Sequence, residues 1–465
     1  MSVLSERYAS AEMNEIWSRE AKVKFERLLW IAVMKTQSRA GISIPPKAIS
    51  DYEKVVEKID LDSINHRESY LHHDVKARIE EFNNLAGHEF IHLGMTSRDL
   101  TENIELYQCQ QSLRIIAKKS AALLYVLSEF VTEYSEFPII ARTHNVPAQV
   151  TTLGRRFSIW GEELLFAFNH LEEFMKRLPM RGIKGAVGTA SDLEQLLPGR
   201  SEMIESELAS LLGFDQLLSV PSQIYARSID LEMVAVLNQL AAAPSNIAIN
   251  IRLMAGHGLA SEAFEKDQTG SSAMPHKVNP RLSERINSLS VLLKGYLAMV
   301  SEISGGQWNE GDVSCSAVRR IALPEAFFAI DAILETTIHV LLSLYVHEEK
   351  VNAELEDYLP SVLSSTLLMH AVNSGVGREY AHERIKQHFV ERKSDEKGGA
   401  GNGFLQRVLQ DKELKIDASV IQSLLESPIH LSGLASKQAR KFAEEVMKKI
   451  GNYPDAMSFR PSRIL

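Results

Sequence analysis

Two cysteines are all that 465 residues contain, Cys109 and Cys315, far apart and without disulfide-type or metal-type spacing. No disulfide framework is expected, and a reducing cytosol is the natural setting, with both thiols as packing residues. Positive charge is also in deficit, since 51 Lys and Arg against 60 Asp and Glu give a formal net charge of −9. That balance argues against a general nucleic-acid binder, yet it permits a small anionic ligand in a local basic pocket. No uninterrupted apolar run approaches the ~18 residues of a bilayer span. The opening MSVLSERYASAEMNEIW lacks the apolar centre of a signal peptide. The expectation is a soluble cytoplasmic protein with no membrane partner. Period-two strand runs are scarce as well.

What is present is helical periodicity. From Glu102 to Tyr134, apolar residues fall at Leu113, Ile116, Leu123, Leu127, Phe130 and Tyr134, at spacings near three and four. Asp230 to Glu265, Arg281 to Ile303 and Glu325 to Glu349 behave alike. Pro244 predicts a kink in the first of these. Helices this long, apolar around much of their circumference, need a bundle to cover them. The reading is a mainly α protein in three helical regions: residues 1–110, a central long-helix bundle over 111–350, and a smaller part over 351–465. The Gly-rich SDEKGGAGNGF (394–404) reads as a loop, because no strand precedes it and its spacing falls short of a dinucleotide fingerprint.

HEFIH, His88 to His92, matches the H-E-x-x-H pattern of zinc proteases. Gly87 and Gly94 bracket it and no third ligand follows at family spacing, so no metal site is expected there. GSSAMPHKVNP (270–280) is the more informative interruption. Asn279 is a favoured N-cap and Pro280 suits the first turn of a following helix. The positive end of that helix, with Lys277, would stabilise negative charge in a loop that also carries Ser271 and Ser272.

GSSAMPHKVNP followed by Glu284 resembles the signature G-S-S-x-M-P-x-K-x-N-x-x-x-x-E of the fumarase/aspartase superfamily. RYASAEM, HHDV (72–75), HLGMTSRD (92–99), ARTHNVPAQ (141–149), RGIKGAVGT (181–189) and EGDVSCSAVRR (310–320) are similar to segments of its adenylosuccinate lyases. The resemblance implies β-elimination of fumarate from adenylosuccinate and from SAICAR, with no cofactor and no metal. It implies Ser271 as general base and His144 as general acid, with Glu284 orienting His144. Lys277 and Asn279 would hold the substrate carboxylate, with Ser272 and the Met274 backbone N–H as further contacts. His73, Asp74, His92, Thr96, Ser97, Thr143, Gln149 and Gln223 would bind substrate. Arg7, Tyr8, Ser316 and Arg320 would take the phosphate.

One position departs from that pattern. Gly311 stands where many relatives have arginine, and Arg7, Arg320, Arg319 and Lys184 are the cations available to replace it. The resemblance further implies a homotetramer whose long helices form a shared multi-helix core, with active sites built between subunits. A carboxymuconate cycloisomerase shares M-P-H-K and is the alternative within the superfamily. A catalytically dead helical scaffold would be expected to lack Ser271, Lys277 or His144.

Overall fold

The computed structural model describes residues 2–262, 274, 277–395 and 402–462, with backbone alone for 391–395 and 402. Helices Val3–Arg7 (α1), Ala11–Ile16 (α2), Arg19–Ala40 (α3), Pro46–Val55 (α4), Leu61–Leu71 (α5) and Asp74–Ala86 (α6) lead to the 37-residue helix Ser97–Glu133 (α7). The Asp99 carboxylate accepts the Thr96 N–H at 2.7 Å and so closes the start of α7. A hairpin follows, Pro138–Thr143 (β1) and Val146–Thr152 (β2), antiparallel with Thr143 opposite Val146. Only His144 and Asn145 form its loop, at φ 52° and 60°. Two positive φ values match a type I′ turn, whose twist suits a tight hairpin and which asparagine tolerates.

The chain continues through Leu153–Arg177 (α8), Ser191–Leu196 (α9), Ser201–Leu212 (α10), Ser228–Leu240 (α11), Ala242–Gly256 (α12), Arg281–Ile303 (α13) and Ser316–Ser343 (α14). α7, α8, α11, α12, α13 and α14 pack on one another as the central bundle. Pro244 sits in the first turn of α12, and Ala241, in helical conformation, joins α11 to α12. Ser228–Gly256 and Ser316–Ser343 are long and apolar enough to cross a membrane by length and composition. Their polar residues are interspersed, so a search for uninterrupted apolar runs passes over them. Within the bundle, 83% of the most apolar window of α14 is buried and 56% of that of α11–α12.

Glu348–Val362 (α15), Ser364–Asn373 (α16), Arg378–Asp395 (α17), Asn402–Gln410 (α18) and Ala418–Glu426 (α19) follow. A separate apolar core, including Leu363, Leu367, Phe404, Val408 and Ile421, holds this C-terminal region together. Ala435–Lys449 (α20) then returns to pack on α7 and α8. The boundary expected near residue 110 lies inside α7, which runs unbroken across it. Most of the Gly-rich stretch (396–401) lies outside the described residues.

The start of α13 differs from the sequence reading. Pro280, not Asn279, is the N-cap, and it makes no side-chain cap bond. Buried Glu262 closes the helix instead, accepting the N–H groups of Leu282 at 3.0 Å and Ser283 at 2.7 Å. A carboxylate well before the helix in the chain thus absorbs the partial positive charge assigned to the signature loop.

The N-terminal segment is fastened to the bundle by a buried cation. Lys119, fully buried on α7, donates to Ser10 Oγ at 2.9 Å, bonds Asp331 and pairs with Glu335 at 2.8 Å. Burial works against its charge, but Asp331 and Glu335 outweigh burial and raise its pKa. Lys119→Met would leave two carboxylates of α14 buried without their cation, which costs about 3–5 kcal/mol. Chemical denaturation should show a loss of that size; a loss below about 1 kcal/mol would mean the carboxylates find water or take up protons at little cost.

Candidate active site

The residues singled out from sequence fall into three groups on the folded chain. The first surrounds the starts of α6 and α7. His73 caps α6, its Nδ1 accepting the Lys76 N–H at 3.2 Å, which leaves Nε2 to carry the ring proton. Asp74 accepts the Val75 N–H at 2.8 Å and pairs with Arg78 at 3.4 Å and with Arg320 at 3.7 Å. Burial opposes the Asp74 charge, yet Arg78, that N–H and Arg320 hold its pKa below the usual carboxylate range. Two residues from distant segments, HHDV and the 310–320 stretch, are therefore joined directly.

His92 belongs to the same group. HEFIH is not helical, so its histidines share no helix face. His88 bonds Asp51 at 3.0 Å, while His92 Nδ1 accepts the Trp30 Nε1–H at 3.0 Å. No cluster of metal-holding side chains occurs among the described residues. Burial pushes the His92 pKa down to about 4, although Asp99 pulls the other way. The ring is neutral at pH 7, with its proton on Nε2, and acts as a hydrogen-bond donor rather than a cation. Thr96 and Ser97 stand half-buried beside it at the N-terminus of α7. Buried Asp99 also accepts the N–H groups of Lys184 at 2.9 Å and Gly185 at 3.0 Å and bonds the Arg181 guanidinium, fixing the 181–185 segment to α7.

The 310–320 segment reaches this group through a buried ionic knot. Arg319 donates to Asp230 at 2.7 Å, to Glu105 at 2.7 Å, to Glu102 at 3.3 Å and to the Tyr225 hydroxyl. Arg227 adds bonds to both oxygens of Glu102, at 2.8 and 2.9 Å. Burial would raise the Glu105 pKa, but Arg319 and its cationic neighbours lower it to about 2. Gln223 N–H donates to Glu310 O at 2.9 Å, tying the loop before α11 to the segment before α14. Ser316 opens α14, and Arg320 lies on its exposed side.

The Arg319 and Lys184 readings are corrected here. Neither can replace the missing arginine cheaply, because Arg319 is spent on buried Glu102 and Asp230 and half-buried Glu105, and Lys184 bonds buried Glu205 at 2.6 Å. Gly311 itself has φ 134°, and a Cβ there would meet Ile224 at 3.2 Å. That backbone conformation favours glycine, so arginine at this position would be strained.

The second group follows the signature. Glu284 and Tyr8 line a cavity of about 630 Å³, together with Arg281 and Arg285. The Arg285 guanidinium lies 5.2 Å from the centre of the Tyr8 ring. Burial lowers its pKa, with Arg281 and Arg7 adding to the effect. Arg281 and Arg285, four residues apart on one face of α13, were missed in the sequence reading; their spacing just after the signature was the available signal. Lys277 is exposed, Asn279 half-buried and Met274 exposed, with the Lys277 N–H donating to Met274 O at 3.0 Å. Ser271 and Ser272 lie outside the described residues.

The third group is the hairpin. Thr143 and His144 are exposed at its tip, and Gln149 donates to Ser365 Oγ at 3.2 Å. Among the described residues, no hydrogen bond or ion pair joins His144 to Glu284, and none joins either to the His73–His92 group.

The Trp30–His92 bond has a measurable consequence. The folded pKa of His92 lies below the ordinary 6.5, so the unfolded chain binds that proton more tightly. Its contribution to stability is complete above pH 6.5 and is lost as the pH falls toward about 4. NMR titration of the ring should give a midpoint near 4, and Trp30→Phe should move it upward. A midpoint near 6.5 in the unaltered protein would contradict the assigned burial and tautomer.

A protein-family model described as Lyase matches residues 5–295. The chain is 33% identical over 452 residues to adenylosuccinate lyase of Saccharomyces cerevisiae, covering 95% of this chain and 93% of the relative. It is 33% identical over 465 residues to adenylosuccinate lyase of Schistosoma mansoni, covering 98% and 96%. Its fold matches fumarate lyase from Mesorhizobium sp. BNC1 with a TM-score of 0.82 at 19% identity, over 94% of this chain and 98% of that one. It also matches 3-carboxy-cis,cis-muconate lactonizing enzyme from Pseudomonas putida with a TM-score of 0.83 at 19% identity, over 96% and 99%. The two structural likenesses establish the shared helical fold, and the sequence relatives narrow it: the chain belongs to the adenylosuccinate lyase family, carbon–nitrogen lyases of the fumarase/aspartase superfamily whose reaction eliminates fumarate.

Proposed function

We propose that this chain cleaves adenylosuccinate to AMP and fumarate, and SAICAR to AICAR and fumarate, as a cytoplasmic enzyme of purine biosynthesis. The observation that carries the nucleotide substrate is the pair of arginines in the cavity beside the signature, which Glu284 and Glu325 also line. Tyr8, Arg281 and Arg285 converge next to Glu284, with Arg7 close enough to Arg285 to influence its charge. A phosphate suits such a cluster, whereas a carboxymuconate has none to place there.

In this reading Ser271, as alkoxide, removes the proton on the carbon next to a substrate carboxylate. The electrons form the new C=C bond, the adjacent C–N bond breaks, and protonated His144 gives its proton to the leaving nitrogen. Lys277 and Asn279 hold the carboxylate that gains charge, with Ser272 and the Met274 N–H beside them. Because Glu262 already takes the first N–H groups of α13, Lys277 bears more of that stabilisation than the helix end. Glu284 orients His144. Neutral His92 donates from Nε2, while His73, Asp74, Thr96, Ser97, Thr143, Gln149 and Gln223 position the substrate. Arg7, Tyr8, Arg281 and Arg285 hold the phosphate, with Ser316 and Arg320 on its other side. These steps call for no metal and no organic cofactor.

The same proposal includes a homotetramer with a shared multi-helix core. Glu284 and His144 are paired in the proposed mechanism but share no bond within one chain among the described residues, which is consistent with one copy's hairpin meeting another copy's signature. Apolar side chains on the bundle's outer faces favour such packing: Ile159 and Phe166 on α8 are 50% and 70% exposed, and Val291 on α13 is 67% exposed. On this reading the central bundle forms the common core, with the N- and C-terminal helical regions at its ends.

Purified protein should convert adenylosuccinate with a change in ultraviolet absorbance as AMP and fumarate form. Absence of turnover with both adenylosuccinate and SAICAR would sink the substrate assignment. Ser271→Ala and His144→Ala should each lower kcat by roughly 10²–10⁴ without changing the melting temperature. A near-normal kcat in either variant would remove that residue from its role.

A further inference from the structure

The hairpin that carries His144 is regular only at its base. Ile139 lies opposite Thr151 and Ile140 opposite Val150, but the register shifts between Ala141 and Arg142, so that Ala141 faces Gln149 and Arg142 faces Pro147. Ala148 is the extra residue of this β-bulge, which bends and twists the strand beyond it. Pro147 has no N–H to give, so the ladder is thin just where the chain enters the turn. His144 and Asn145 both hold left-handed φ values there, 52° and 60°, in a region sparsely populated by residues other than glycine. The backbone ladder gives such a turn little support.

Arg142 supplies the support from its side chain. One terminal nitrogen donates to Asn145 O at 3.3 Å, and the other pairs with Glu354 of α15. Tyr358, one turn further along α15, places its ring centre 5.4 Å from the guanidinium. The Arg142 and Glu354 side chains are 15% and 12% exposed, so solvent and salt screen the pair far less than a surface one. The planar guanidinium suits this double task, because its separate nitrogens hold a carboxylate and a carbonyl in fixed directions. α15 is itself seated on the hairpin base, where Leu355, Leu359 and Val362 pack with Ile140 and Val150 in a small core of their own.

We propose that Arg142 and Glu354 are positioning residues for the elimination. α15 anchors Glu354, Glu354 orients Arg142, and Arg142 holds the Asn145 carbonyl so that the turn presents His144 at a fixed angle to the leaving nitrogen. The inference rests on the reading of His144 as general acid. Neither Arg142 nor Glu354 contacts the substrate in this arrangement. Their effect is on the placement of the proton donor, where an error of about 1 Å costs on the order of 10²-fold in rate. The C-terminal helical region thereby takes part in the reaction through the hairpin.

The test is a double-mutant cycle read in steady-state and single-turnover kinetics. Arg142→Met removes the donor to Asn145 O and should lower kcat by about ten- to a hundredfold. KM should stay within about twofold, because the groups that bind the substrate are untouched. Added to His144→Ala, Arg142→Met should reduce the residual rate no further, since nothing is left to position. Glu354→Gln, which keeps the shape and a neutral acceptor, should give a smaller loss of kcat, and it carries the same cycle should Arg142→Met fail to fold. A purely structural contact would lower the rate by the same factor with and without His144, and that result would overturn the proposal. A near-normal kcat in Arg142→Met, with His144→Ala inactive, would overturn it and leave the reading of His144 standing. A near-normal kcat in His144→Ala would overturn both together.

Discussion

Arg319 lies buried among Glu102, Glu105 and Asp230, and much of the site's geometry depends on that knot. Three bundle helices meet there, since the carboxylates belong to α7 and α11 and the guanidinium to α14. Burying such charges costs more than their attraction returns unless every partner is in place. Here the bonds are dense, with Arg227 and the Tyr225 hydroxyl completing the set. The result is a fixed relation between the start of α14 and the loop before α11. Arg320 follows directly from it, because its neighbour is locked inward while it points outward to Asp74. Asp99 has a similar role near the start of α7, holding the 181–185 segment through backbone N–H groups.

Rigid support contrasts with exposure at the groups proposed to take part in the reaction. His144 sits at the tip of a two-residue turn, and Glu284 opens onto a cavity elsewhere on the chain. Buried charge thus positions each group within its own region, while no hydrogen bond or ion pair joins the regions among the described residues. The proposed site between copies would give the exposed apolar faces of α8 and α13 a physical purpose. The neutral state of His92 fits the same division: a donor shielded by Trp30 needs no counter-ion from a neighbouring copy.

Much of this was legible in the sequence. Period-three and period-four patterning located the bundle helices, and α13 spans Arg281–Ile303 as read. At Pro244 the helical segment is interrupted only at Ala241, which keeps a helical conformation, rather than ended. Local rules failed where a distant partner intervened. Asn279-Pro280 looked like a cap, but Glu262 does the capping, and nothing in the local string announces a carboxylate brought back by the chain. Arg319 and Arg320 are adjacent and chemically identical, yet one is buried among carboxylates and the other is exposed and pairs with Asp74. Only the helix's orientation in the bundle decides between them. Gly311 read as a lost cation, whereas its positive φ makes it a backbone requirement.

In the proposed assembly the elimination site takes Ser271 and His144 from different copies of the chain. The most direct measurement is complementation between two inactive variants, Ser271→Ala and His144→Ala, denatured together and refolded as a mixture. With the two residues supplied by different subunits, random assembly restores about a quarter of the sites, and turnover returns to roughly that fraction. Turnover in the mixture no higher than in either variant alone would contradict the shared site.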